Sequence, residues 1–124
     1  MDRITSKTEY LGDSSKTDWV MDGDAVLYNN GEAVLLTMAE GTVGTLLASS
    51  TYMWYGSVEA TFKTSQGAGV VTAFILLSDV KDEIDYEFVG VELDTAQTNY
   101  YFQGIPDCKF GPEISKPARL ILFR

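Results

Sequence analysis

Residues 82–90 read DEIDYEFVG, and the fold turns on how this stretch is read. Glu83, Asp85 and Glu87 take every second position, and Ile84, Tyr86 and Phe88 fill the gaps. A period of two is that of a β-strand, whose successive side chains point to opposite faces. The stretch therefore reads as a strand with a row of three carboxyl groups on one face. Ile84, Tyr86 and Phe88 are expected to face the core, and the carboxylates to face a cleft or water.

The flanking sequence keeps the same rhythm. VVTAFILLS (70–78) is a continuous apolar run, expected to be a central strand covered on both sides. TAQTNYYFQG (95–104) is rich in aromatic and β-branched residues and reads as the next strand. QGAG (66–69) reads as a turn. Before it, YMWYGSVEATFKTS (52–65) sets Val58, Ala60 and Phe62 against Ser57, Glu59, Thr61 and Lys63, a strand with one wet face. DAVLYNNGEAVLLTMA (24–39) reads as two short strands joined at Asn29-Asn30-Gly31, residue types that tolerate positive φ. No stretch holds a helical period, and the spacing of short strands and turns predicts an all-β sandwich or barrel. From Ile105 onward the rhythm stops, and the three prolines lie at 106, 112 and 117, although ARLILFR (118–124) has the composition of a final strand.

Composition narrows the function. The chain has 124 residues, one domain's worth, and at 45% hydrophobic it has material for a core. Its 18 acidic and 9 basic side chains give a net charge of −9, against a nucleic-acid or anionic-membrane partner but no obstacle to a neutral polysaccharide. The absence of histidine removes the usual serine or cysteine triads and most zinc sites. Acid–base chemistry must then fall to carboxylates, lysine or tyrosine. The single cysteine, Cys108, allows no internal disulfide. MDRITSKTEY lacks the apolar segment of a secretion signal, and GVVTAFILL (69–77) is too short to span a bilayer, so composition alone points inside the cell.

Three readings fit the carboxylate row. It is an ordinary solvated strand face, although strands disfavour Asp and Glu and no cation interrupts this one. It is a calcium site, although calcium ligands usually come from loops that wrap the ion. Or it serves glycoside chemistry, which needs one protonated and one ionised carboxyl, with a third able to tune both. At ~3.3 Å per residue the Cα atoms of Glu83 and Glu87 stand roughly 13 Å apart. Carboxyl groups ~5–5.5 Å apart suit a retaining enzyme and ~6.5–9.5 Å an inverting one; two long side chains leaning together on a concave strand close much of the gap, and spacing alone does not choose between the two.

DEIDYEFVG resembles the E-x-D-x-E active-site strand of glycoside hydrolase family 16. The wider string WYGSVEATFKTSQGAGVVTAFILLSDVKDEIDYEFVGVELDTAQTNYYFQG (54–104) is similar to the fungal cell-wall members, the Crh-type chitin–glucan transglycosylases. VLLTMAEGTVGTLLASSTYMWYG (34–56) extends the likeness more weakly. The resemblance implies a concanavalin A-like β-jelly-roll sandwich with a sugar cleft, and no cofactor or metal. It implies Glu83 as nucleophile, Glu87 as general acid then base, and Asp85 as hydrogen-bond partner of the nucleophile. QTNYY matches the segment that lines the cleft beside the catalytic strand. Gln97, Asn99, Tyr101 and Gln103, alike in parity, become candidates for sugar binding, with plain cross-strand packing as the alternative. Tyr52 and Trp54 read as core aromatics before cleft platforms, and Lys63 and Lys81 as surface charges.

The likeness ends near Gly104, so residues 1–124 are expected to be one partial family 16 domain with a divergent tail over 105–124. An incomplete sandwich leaves strand edges and an apolar face bare, which predicts self-association or poor folding. The function implied is a retaining β-glycan hydrolase or transglycosylase of the cell wall, acting on β-glucan and chitin. The alternatives are a glycan-binding jelly roll without catalysis and an inactive fragment. The resemblance places the protein outside the cell or in its wall, against the reading of the N-terminus.

Overall fold

A computed structural model turns the period-two stretches into strands, and the class is all-β, as expected. It describes residues 3–106, 114–115 and 120–121. Cys108 and most of the 105–124 stretch lie outside the described residues. The chain divides into two compact units, Met1–Tyr55 and Gly56–Arg124. Among the described residues no helix is long and apolar enough to cross a membrane.

The first unit holds β1 (Ile4–Ser6), β2 (Trp19–Asp22), β3 (Ala25–Tyr28), β4 (Ala33–Leu36) and β5 (Leu46–Ser49). β1 runs parallel to β2, and β5 pairs antiparallel with β2's other edge. Thr17 is buried where the chain enters β2. Its hydroxyl lies 2.9 Å from that of Thr5, and its carbonyl accepts from the Ser50 hydroxyl. β3 and β4 form the expected hairpin, closed by a 3-10 turn at Asn29–Gly31 in which Asn30 and Gly31 take φ of 56° and 88°. Tyr52 and Trp54 are exposed rather than in a core, and Trp54 makes an edge-to-face contact with Tyr55.

The second unit holds β6 (Glu59–Ala60), β7 (Val71–Leu77), β8 (Glu83–Val89), β9 (Thr95–Phe102), β10 (Ile105–Pro106), β11 (Ile114–Ser115) and β12 (Leu120–Ile121). Its main sheet is an antiparallel meander in the order β10-β9-β8-β7, and β11 pairs with the start of β9. Within the 52–65 stretch only Glu59–Ala60 is strand, paired with β12, so that expectation was too long. The QGAG turn is present over 67–69, and Lys63 and Lys81 are exposed.

One face of this sheet carries the aromatic packing. Phe62 stacks on Phe74 at 6.5 Å and meets Phe88 edge-on at 5.3 Å, geometries that favour aromatic pairs. Phe88 and Ala96 are buried on this side. Ile84 shares the face but is 49% exposed, as is its cross-strand neighbour Tyr100 at 39%, so the expected burial of all three non-acidic residues holds only at the Phe88 end. Phe62 packs at that end and leaves the other uncovered.

β7 also departs from expectation. Its residues alternate between exposed and half-buried, and it pairs with β8 alone among the described strands. An unbroken apolar run says how much surface a strand wants covered, not whether a cover is within reach. Past the far end of β8, the Gly90 N–H donates to the Val70 carbonyl (2.8 Å) and its own carbonyl accepts from the Gly67 N–H (3.1 Å). A Cβ on Gly90 would stand 2.4 Å from the Gly67 oxygen, so only glycine admits this approach.

Candidate active site

The antiparallel register of β8 and β9 sets Glu83 opposite Tyr101, Asp85 opposite Asn99 and Glu87 opposite Gln97. Directly opposed residues share a face. The three carboxyl groups and three of the four suggested sugar-contacting residues therefore form two adjacent rows on one sheet face. On the other side of β8, the register sets Leu77, Ile75 and Ala73 beside Glu83, Asp85 and Glu87. The acid row thus runs between a polar row and an exposed apolar one. The apolar row was missed in the sequence because 70–78 was read as covered on both faces.

Gln103 is not part of this surface. β9 ends at Phe102, and Gln103 sits in the following turn with φ 52° and its N–H bonded to Asp82 Oδ1 at 2.9 Å. Parity fails there because the chain has left the strand.

The middle of the row is its most shielded point. Asp85 is 6% exposed, against half-buried Glu83 and Glu87, so an ordinary solvated face does not describe it. Burial pushes the Asp85 carboxyl above its usual range, partly offset by the Asn99 backbone N–H that donates to it. Glu83 is pushed up as well, first by desolvation, then by the neighbouring charges of Asp85 and Glu87. At least one proton is therefore held on the row more tightly than isolated carboxyls would hold it.

Two polar side chains of β9 are engaged locally. Asn99 Oδ1 accepts the Tyr100 N–H at 2.9 Å, and Gln97 Nε2 donates to Glu92 Oε2 at 3.4 Å. Among the described residues no group of three or more His, Cys, Asp or Glu side chains is arranged to hold a metal ion.

Residues 13–118 match the model of the glycosyl hydrolases family 16. The chain belongs to this family. The match runs to residue 118, past Gly104, where the likeness was expected to end. The chain is 70% identical over 105 residues to Crh-like protein 3 of Botryotinia fuckeliana, covering 85% of this chain and 23% of that protein. It is 55% identical over 115 residues to Crh-like protein 2 of Aspergillus fumigatus, covering 93% and 26%. It is 54% identical over 102 residues to Crh-like protein UTR2 of Candida albicans, covering 82% and 21%. The chain thus spans about a quarter of the length of these curated relatives. No solved structure matches it.

Proposed function

We propose that this chain carries the catalytic strand of a retaining β-glycan hydrolase or transglycosylase that acts on fungal cell-wall polysaccharide, β-glucan and chitin, outside the cell. The observation that carries the reading is the register. It sets a shielded carboxylate row against polar and aromatic residues on one sheet face, in a family 16 chain.

In the proposed reaction a Glu83 carboxylate oxygen attacks the anomeric carbon as the glycosidic C–O bond breaks. Glu87 gives its proton to the departing oxygen, leaving a covalent glycosyl-enzyme. Glu87, now ionised, takes the proton of an incoming sugar hydroxyl or water. That oxygen bonds to the anomeric carbon and Glu83 is released. Asp85 has a distinct task. A proton kept on this buried group lets it donate to Glu83 and hold that neighbour ionised, which relieves the like-charge crowding. Asn99 and Gln97 are the proposed hydrogen-bonding contacts to sugar hydroxyls, after exchanging their present local partners for the ligand. Tyr101 is the proposed stacking surface.

A second reading, glycan binding without turnover, draws on the crowding of the row: half-burial and the adjacent Asp85 and Glu87 carboxyls work against the ionised Glu83 that a nucleophile must be. The two readings are separated by incubating the chain with a chitin or β-glucan donor and a fluorescent chito-oligosaccharide acceptor, beside Glu83→Gln. Labelled polymer from the wild type alone supports catalysis. Saturable binding without product supports the second reading, and equal product from both chains refutes the role of Glu83.

A further inference from the structure

We propose that Asp82 is a positioning residue for Glu83: by accepting the Gln103 N–H it fixes the end of β8 from which the proposed nucleophile projects. The inference rests on the reading of Glu83 given above.

The turn between β7 and β8 is held by its own hydrogen bonds. The Ser78 N–H donates to the Asp82 carbonyl (2.9 Å), the Asp82 N–H to the Ser78 hydroxyl oxygen (2.9 Å) and the Lys81 N–H to the Ser78 carbonyl (3.0 Å). Beside it runs the turn after β9, because the register brings Tyr101 opposite Glu83. Two further bonds lock turn to turn. Asp82 Oδ1 accepts the Gln103 N–H at 2.9 Å, and the Lys81 carbonyl accepts the Gly104 N–H at 2.8 Å.

Backbone strain gathers at the same place. Among the described residues three non-glycines have positive φ, and two of them, Lys81 (67°) and Gln103 (52°), face each other across this junction. Such conformations persist where surrounding contacts over-determine them, and they concentrate near functional sites. Asp82 commits a side-chain oxygen to a backbone N–H of the facing turn. Glu83 follows it directly. At the opposite end of the strand the Gly90 N–H and carbonyl bond to the Val70 carbonyl and the Gly67 N–H. The groups around Glu83 are Asp85 and Glu87 on its own strand, Tyr101 and Leu77 across from it, and exposed Lys81 in the turn.

The test compares Asp82→Ala and Asp82→Asn with the wild type. Backbone amide exchange at Gln103 and the carboxyl titration of Glu83, followed by NMR, need no turnover. Asp82→Ala is expected to speed exchange of the Gln103 amide about tenfold or more by local opening. It is also expected to bring the Glu83 midpoint down toward the ordinary range. Asparagine keeps the acceptor and should preserve both. Where turnover is measured, Asp82→Ala should lower kcat and leave KM nearly unchanged. If the Gln103 amide opens while the Glu83 titration and kcat stay put, Asp82 only staples the turns and the proposal is wrong. It is equally wrong if asparagine does the damage of alanine. Should Asp82→Ala not fold, Asp82→Glu moves the acceptor by one methylene and must shift the same readouts. Loss of the glycosidase reading shows separately, as a wild type and Glu83→Gln that do not differ in turnover.

Discussion

At the residue scale the account rests on three carboxyl groups crowded on one strand. Glu83→Gln should lower glycosyl transfer by roughly three orders of magnitude or more, the scale of losing a nucleophile, without changing the fold. pH dependence follows from the direction of the shifts. Glu83 must be ionised to attack, and its carboxyl is raised, so kcat/KM should fall on the acid side at a higher pH than an ordinary glutamate would impose. Asp85→Asn keeps a neutral donor beside Glu83 but can never take on the charge that raises it when Asp85 ionises, so that limb should move to lower pH, with reduced turnover. Stability runs the other way. The folded state holds these protons more tightly than the unfolded chain, so the contribution of Glu83 and Asp85 is complete below their ordinary values of 4.5 and 3.8. It is lost as pH rises through the raised ones. Asp85→Asn and Glu83→Gln should therefore melt above wild type at about pH 7 and show no such gain below about pH 4. A gain at low pH instead would contradict the burial of the row. The residues of the row were legible in the alternation of DEIDYEFVG. The shielding of Asp85 was not, because it depends on the neighbours that strand register brings beside it, Ile75 and Asn99 among them, and one strand's alternation does not report register.

At the scale of elements, β8 and β9 were legible because their period-two patterns are long, and the Asn-Asn-Gly hairpin because its residue types match its backbone angles. Gln103 and Ile84 were misread for a common reason. Parity assumes the strand continues and the face is covered along its length, whereas β9 stops at Phe102 and the Phe62 contact reaches only the Phe88 end. Two substitutions test the ends of β8. Gly90→Ala forces a methyl group to 2.4 Å from a backbone oxygen with no flexible side chain to yield. It should cost about 2–3 kcal/mol, read as a lower urea midpoint at unchanged slope. Gln103→Val places a β-branched residue at φ 52° and should cost about 1–2 kcal/mol, whereas Gln103→Gly should be neutral or mildly stabilising. Equal stability of the valine and glycine variants would show that this backbone conformation is not kept in solution.

At the scale of the whole molecule, the apolar surface left open in the second unit is the dominant fact. Val71, Ile75 and Leu77 on β7, with Ile84, Phe102 and Ile105, are all exposed, and among the described residues the buried hydrophobics are Phe88 and Ala96. A net charge of −9 opposes association of like chains. The isolated chain should therefore self-associate, and more so as salt screens the repulsion, which light scattering after size exclusion would register. A monodisperse monomer with a cooperative melt at every ionic strength would contradict this. The all-β class was readable from composition and rhythm; the division into two units was not, because alternation does not report which strands pair over long separations. The most direct test of the central claim is to trap the glycosyl-enzyme with an activated 2-deoxy-2-fluoro glycoside and map the adduct by peptide mass spectrometry. The account predicts one sugar, esterified to Glu83 and absent from Glu83→Gln. An adduct on Glu87, or none while transfer proceeds, would contradict it.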